Sequence, residues 1–173
     1  WNKFENIVRS SNFSKNEDYE KICELMDIDN FLYYMSIQIM GKNMDWPNNN
    51  QLVFCPHAKG GKWKWILQDL DQWVVGGSPI NKLQALIEST STLLSTKLIV
   101  YLLNNEKFKD EYITVQSLVA SSVYAPERFK TRLTEMKKAI ETEYPYYQEK
   151  WPTQGKSELE KTTQNTIKYE ALA

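Results

Sequence analysis

Four residues carry side chains suited to holding a divalent cation and a phosphate: Asp45, Asn50, Asp69 and Asp71. The first two lie in "GKNMDWPNNNQLVF", residues 41–54, where an apolar helical pattern stops at Gly41, passes an acid, a Trp-Pro pair and three asparagines, and becomes strand-like. The other two lie in "DLD", which begins 24 residues beyond Asp45. Carboxylate and amide oxygens suit Mg²⁺ or Mn²⁺ better than zinc, and a hard cation with few protein ligands is well placed to hold substrate phosphates. The plainer alternative for residues 41–54 is a polar turn in which Asp and Asn cap local amides.

The segment between the acids must bring them together. "NQLVFC" and "KWKWILQ" read as strands, the second with Trp63, Trp65 and Leu67 on one side and Lys62, Lys64 and Gln68 on the other. "PHAKGG" between them carries the Pro and Gly of a hairpin loop. Facing strands lie about 5 Å apart, so the two ends of a hairpin converge on one place. Asn48, Asn49 and Asn50 add carbonyl oxygens at that end. A helix, an Asp, an Asn five residues later, a hairpin and a further Asp is also the order of parts around the catalytic loop of protein kinases. Asp45 and Asn50 reproduce its D-x-x-x-x-N spacing.

Most of the remaining chain reads as helix, with apolar residues at steps of three and four. Tyr19, Ile22, Cys23 and Met26 share one face; Leu32, Met35, Ser36, Ile39 and Met40 share another, after a cap region at Asp27–Asp29 and before Gly41 ends the helix. Leu94, Leu98, Tyr101 and Leu102 form a stripe, and Asn105 can cap a helix with Phe108, Tyr112 and Val115. "APERFKTRLTEMKKAIETEY" places Pro126 in a first turn and Phe129, Leu133, Met136 and Ile140 on one face. All these stripes are read as core. An irregular, mobile segment is expected around Gly76, Gly77 and Pro79, and a polar helix after the Pro/Gly break that follows Trp151.

Composition narrows the function classes. With 173 residues, 42% hydrophobic and 13% aromatic, the chain can build a core, which excludes wholesale disorder. Its 21 Lys plus Arg against 22 Asp plus Glu give no basic excess for nucleic acid. No apolar run approaches the ~20 residues of a membrane span, and the start has no signal-peptide layout. Cys23 and Cys55 lack metal-ligand spacing and are expected as buried free thiols, a single disulfide being the alternative.

"DIDNFLYYMSIQIMGKNMDWPNNN", "GGKWKWILQDLDQW", "STLLSTKLIVYLLNNEKFKDEY" and "YAPERFKTRLTEMKKAIETEYPYYQEKW" together resemble the CotH kinase family, named for a spore coat protein H, from about Asn12 to Trp151. The resemblance implies a mainly α fold with one small β-hairpin, similar to the C-lobe of an atypical protein kinase. It implies ATP and Mg²⁺ or Mn²⁺ as cofactors, a protein serine or threonine as acceptor, and an extracytoplasmic or spore-surface setting. By position it makes Asp45 the catalytic-loop acid, Asn50 a metal-holding asparagine, Asp69 the principal metal-binding acid and Asp71 its support. Two departures stand out: "DLDQWVVGG" replaces the aromatic with Phe-Gly or Trp-Gly that follows D-x-D in many relatives, and no Gly-rich phosphate loop or V-A-I-K lysine precedes Asp45. Residues 1–173 are therefore expected to be a single C-lobe-like domain, inactive alone, with the nucleotide-covering lobe upstream of Trp1.

The other candidates are read blandly. His57, the sole histidine, is expected as an exposed loop residue, Trp46 and Pro47 as core packing, and Lys59, Lys62 and Lys64 as a solvated strand face. The serines of "ESTSTLLSTK" have no G-x-S-x-G elbow or histidine beside them, so hydrolase chemistry has no support. The alternative function is a surface or coat interaction protein that keeps the fold without catalysis.

Overall fold

A computed structural model describes residues 1–72 and 81–152, which are mainly helical with one two-stranded antiparallel sheet. In chain order the elements are α1 Asn2–Ser10, α2 Asn16–Leu25, α3 Ile28–Met40, β1 Leu52–Phe54, β2 Lys64–Ile66, α4 Lys82–Glu88, α5 Leu94–Leu102, α6 Glu106–Ser122, α7 Pro126–Ile140 and α8 Tyr144–Lys150. The break expected at Gly76, Gly77 and Pro79 and the helix expected after it near the end of the chain lie outside the described residues. The described residues form two packing units, 1–72 with 81–119, and 120–152.

In the first unit the core gathers around α3, the helix whose interior turns are apolar on nearly every side. Phe31, Leu32, Tyr34, Met35 and Ile39 are buried there with Tyr19 and Ile22 of α2, Leu98, Ile99 and Leu102 of α5, and Phe108 of α6. At about 1.5–3 kcal/mol per fully buried large side chain, this cluster is the main driving force of the unit. Asp27 caps α3, its carboxylate accepting from the Asn30 N–H at 3.0 Å, and Asn105 caps α6 through the Phe108 N–H at 3.1 Å. Both caps fall where the sequence places them.

The hairpin pairs Leu52 with Ile66, Val53 with Trp65 and Phe54 with Lys64. Each strand is three residues long, shorter than the alternating runs from which it was read. An isolated hairpin of this size is marginal in water, and α3 supplies what it lacks. The Asn30 side chain donates to the Trp65 carbonyl at 3.1 Å and accepts from the Trp65 N–H at 2.7 Å, so one amide acts as the missing neighbour of β2. One step earlier the backbone continues this pairing, with the Asp27 N–H on the Trp63 carbonyl and the Trp63 N–H on the Leu25 carbonyl, both at 2.9 Å. Trp65 is buried, its ring 4.7 Å from that of Phe31, whereas Trp63 is half-buried and Leu67 is exposed. In the loop, Gly60 has φ +77° and a Cβ on Gly61 would meet the Pro56 carbonyl oxygen, so both glycines serve the turn.

Several expectations are corrected. Cys55 is exposed where the hairpin loop begins, not buried, and Cys23 is half-buried; both thiols are free. Lys64 is not simply solvated, because its ammonium lies 3.1 Å from the Asp27 carboxylate. In the second unit, Tyr124 is buried and stacks on Phe129 at 5.8 Å, yet Met136 and Ile140 at the far end of the α7 stripe are 66% and 52% exposed. The stripe is not core along its length. Its fifteen-residue helix is accompanied, among the described residues, by the seven-residue α8.

Asn30→Ala is expected to destabilise the protein by roughly 2–4 kcal/mol in chemical denaturation, since it strands both polar backbone groups of Trp65 in a partly buried place. Asp27 separates cap from ion pair. Asp27→Ala should cost about 1 kcal/mol and Asp27→Asn, which keeps the cap, well under that. The Asn30 N–H and Lys64 hold the Asp27 carboxyl below the ordinary carboxylate range. Its contribution is therefore complete near neutral pH and is lost as pH falls through that lowered value, so the Asp27→Ala penalty should shrink in strong acid.

Candidate active site

The site begins with the way α3 ends. Gly41 closes the helix in right-handed geometry, φ −70°, and the left-handed residue is Lys42, φ +50°. The Lys42 N–H reaches the Ile39 carbonyl at 3.2 Å and the Asn43 N–H reaches the Gln38 carbonyl at 3.3 Å. These two bonds make a Schellman motif with lysine where glycine usually stands, and the helix ends at Gly41 as the sequence places it. The motif folds Asn43 back against the helix. Its amide donates to Gln38 Oε1 at 2.9 Å in a fully buried pair, and its Oδ1 accepts from the Asp45 N–H at 3.2 Å.

Asp45 is thereby fixed to the end of α3 by an Asx turn whose side chain is itself held in the core. It is half-buried, and its carbonyl accepts from the Asn49 N–H at 2.9 Å. Trp46 and Pro47 are buried as expected, across a cis peptide bond, and the Trp46 ring lies 6.2 Å from that of Tyr34. Burial pushes the Tyr34 phenol up to about 12, against the opposing pull of Gln38 and Trp46. Of the three asparagines, Asn48 and Asn49 are exposed and Asn50 is half-buried.

The second part of the site arrives through the hairpin. Asn50, just before β1, has φ +57°, and Asp69, just after β2, has φ +50°. Asn and Asp tolerate this left-handed region better than other side-chain-bearing residues. Continuing the Leu52–Ile66 register sets Asn50 level with Gln68, one residue from Asp69. A backbone bond then joins the two segments: the Met44 N–H donates to the Gln72 carbonyl at 3.2 Å.

Electrostatics reports what this closure brings together. The Asp69 carboxyl is raised above its ordinary value, first by the charge of Asp71, then by desolvation and a hydrogen bond with Asp71, and last by the charge of Asp45. Asp71 also accepts from Gln72 Nε2 at 3.1 Å. Asp45, Asp69 and Asp71 thus form one acidic field, although among the described residues no three His, Cys, Asp or Glu side chains converge closely enough to ligate a single ion. The oxygen-only donors suit a hard cation, and a bound cation would relieve their mutual repulsion. His57 stands apart, exposed in the hairpin loop.

Three contributors were not picked out from sequence. Asn43 could have been, since an Asn two residues before an Asp is a readable Asx turn. The Gln38 that holds it, and Lys82, whose ammonium lies 5.9 Å from the Trp46 ring centroid, carry no spacing signal.

A helical unit that carries an acidic loop and a docked hairpin with a second pair of acids has the order of parts of a kinase catalytic segment. The family model described as CotH kinase protein matches residues 1–171, and the chain belongs to that family. Membership implies nucleotide and protein substrates, with ATP and a divalent metal, in general terms. No curated protein and no solved structure gives a significant match. Among the described residues no helix is long and apolar enough to cross a membrane.

Because Asp69 keeps a raised pKa in the folded protein, its protonation relieves repulsion that the unfolded chain lacks. Its contribution to stability therefore grows as pH falls from neutral toward that raised value. Asp69→Asn removes the repulsion at every pH. Its Tm should exceed that of the wild type at pH 7, with the gap narrowing by pH 4.5 in metal-free buffer.

Proposed function

We propose that this chain carries the acceptor and metal side of a protein-kinase site, transferring the γ-phosphoryl group of ATP to a serine or threonine hydroxyl. The observation that supports it most is that the end of α3 and the docked hairpin, joined by the Met44–Gln72 backbone bond, bring the charge of Asp45, 24 residues away in sequence, within reach of Asp69 and its neighbour Asp71. A fold gains nothing in stability by gathering like charges. Left-handed backbone at both Asn50 and Asp69 is a second local cost at the same place, and such costs concentrate at functional sites.

In this reading Asp45 orients the acceptor hydroxyl and takes its proton as the oxygen attacks phosphorus. Asp69 is the principal metal ligand, with Asn50 and Asp71 in support. A divalent metal held by these residues would supply charge neutralisation to the phosphate. Positioning and charge neutralisation are the main demands of phosphoryl transfer, and both follow from groups fixed by backbone and buried amides rather than by long mobile side chains. No Gly-rich loop or V-A-I-K lysine stands in residues 1–44, so the groups that would cover the nucleotide are not assigned among them.

Mg²⁺-dependent transfer of labelled phosphate from ATP by the full-length protein tests the reading. Asp45→Ala should lower kcat by roughly 10²–10⁴-fold, and Asp69→Ala should abolish the Mg²⁺ dependence along with the activity. Full phosphorylation by both variants would reject the assignment and leave the alternative of a non-catalytic surface or coat protein.

A further inference from the structure

Lys82 opens α4 behind Asn81, whose side chain caps the helix by accepting from the Gln84 N–H at 3.1 Å. The lysine stem does not run into solvent. Its Nζ lies over the ring of Trp46, the residue that follows Asp45, 5.9 Å from the centroid, so the indole holds the ammonium beside the acidic loop. Among the described residues no carboxylate closes an ion pair on it, although the charge of Asp45 reaches it. Burial holds the ammonium below the ordinary lysine value, with Asp45 opposing. An ammonium partly stripped of water and left without a bonded counter-charge attracts an anion more strongly than a hydrated surface lysine does.

We propose that Lys82 is a phosphate-oxygen ligand of this site, reaching from α4 across Trp46 to the phosphoryl group as it passes to the acceptor hydroxyl. As a statement about catalysis this rests on the phosphotransferase reading; as a statement about anion binding it does not. Asp45, Asp69 and Asp71 repel phosphate, and a cation on Asp69 and Asp71 cancels that repulsion on their side only. Next to Asp45, where the acceptor oxygen and phosphorus meet, a separate positive charge is needed. Lys82 is the cation that α4 delivers there. During transfer the bond from the γ-phosphorus to the β,γ-bridging oxygen breaks, the acceptor oxygen bonds to phosphorus, and the hydroxyl proton goes to Asp45. Lys82 stays protonated and moves no proton.

The competing role for Lys82 is to cover Trp46 with its stem. Lys82→Met keeps most of that cover and removes the charge, while Lys82→Arg keeps both. The first measurement is Mg-pyrophosphate binding by titration calorimetry with the 173-residue chain, with circular dichroism to verify the fold of each variant. The wild type and Lys82→Arg should bind, and Lys82→Met should bind at least about 10-fold more weakly. Equal binding by Lys82→Met, or no binding by the wild type, overturns the proposal. The second measurement is steady-state phosphorylation by the full-length protein, in which Lys82→Met should lower kcat by about 10²-fold with KM for ATP changed less than 3-fold, as for the loss of one preorganised charge at a transition state. A loss confined to KM overturns the transfer role. If the wild-type protein transfers no phosphate, the phosphotransferase reading fails alone, and pyrophosphate binding still decides the anion site.

Discussion

The arrangement depends on one side-chain amide. Asn30 bonds both the N–H and the carbonyl of Trp65, and in doing so attaches a hairpin of two three-residue strands to the first turn of the most buried helix. Without that attachment the hairpin has one strand pair, one buried tryptophan and little reason to hold a fixed direction. With it, the exit of β2 is referred to the start of α3. The loop containing Asp45 is referred to the end of the same helix through Gln38 and Asn43. A thirteen-residue helix is thus the ruler that sets both acidic segments, and the Met44–Gln72 backbone bond closes the figure.

This construction gives two polar side chains of the core a task. Gln38 and Asn43 are buried, and a buried amide costs several kcal/mol unless it is hydrogen-bonded. Here the Asn43 amide satisfies Gln38 Oε1, the acceptor of Asn43 fixes the Asp45 backbone, and Gln38 Nε2 is left as a buried donor without a hydrogen-bond partner among the described residues. The Asp45 carboxylate is left half-exposed and not engaged by the core. The rigidity is spent on the backbone that carries the acid, while the acid itself stays available.

The sequence made the gross plan legible because the plan is local. Helix periodicity, the Asp27 and Asn105 caps and the Pro-and-Gly loop are all set within a few residues of one another, and each has its counterpart in the structure. What was missed depends on groups far apart in the chain. Asn30 lies 35 residues from Trp65, and Lys82 lies 36 from Trp46; neither pairing has a period or a motif. The left-handed Lys42 that follows Gly41 had no sequence signal, because glycine is the cheapest residue at such a position and a lysine there does not announce itself. Met136 and Ile140 show the limit of periodicity, which gives the face of a helix but not whether anything covers it.

The acidic field also constrains the order in which any phosphate ligand could load. The charges of Asp71 and Asp45 raise the cost of ionising Asp69, and an anion approaching these acids meets repulsion from all three. On the proposed reading a divalent cation held by Asp69 and Asp71 would have to load before or with the phosphate, because it would supply the charge that offsets this repulsion. The positive charge that α4 holds over Trp46 is too little to invert the sign of the field, but it breaks its symmetry. The side next to Lys82 is the less negative one, and a chelated phosphate would turn its free oxygens that way, toward Asp45 rather than toward solvent.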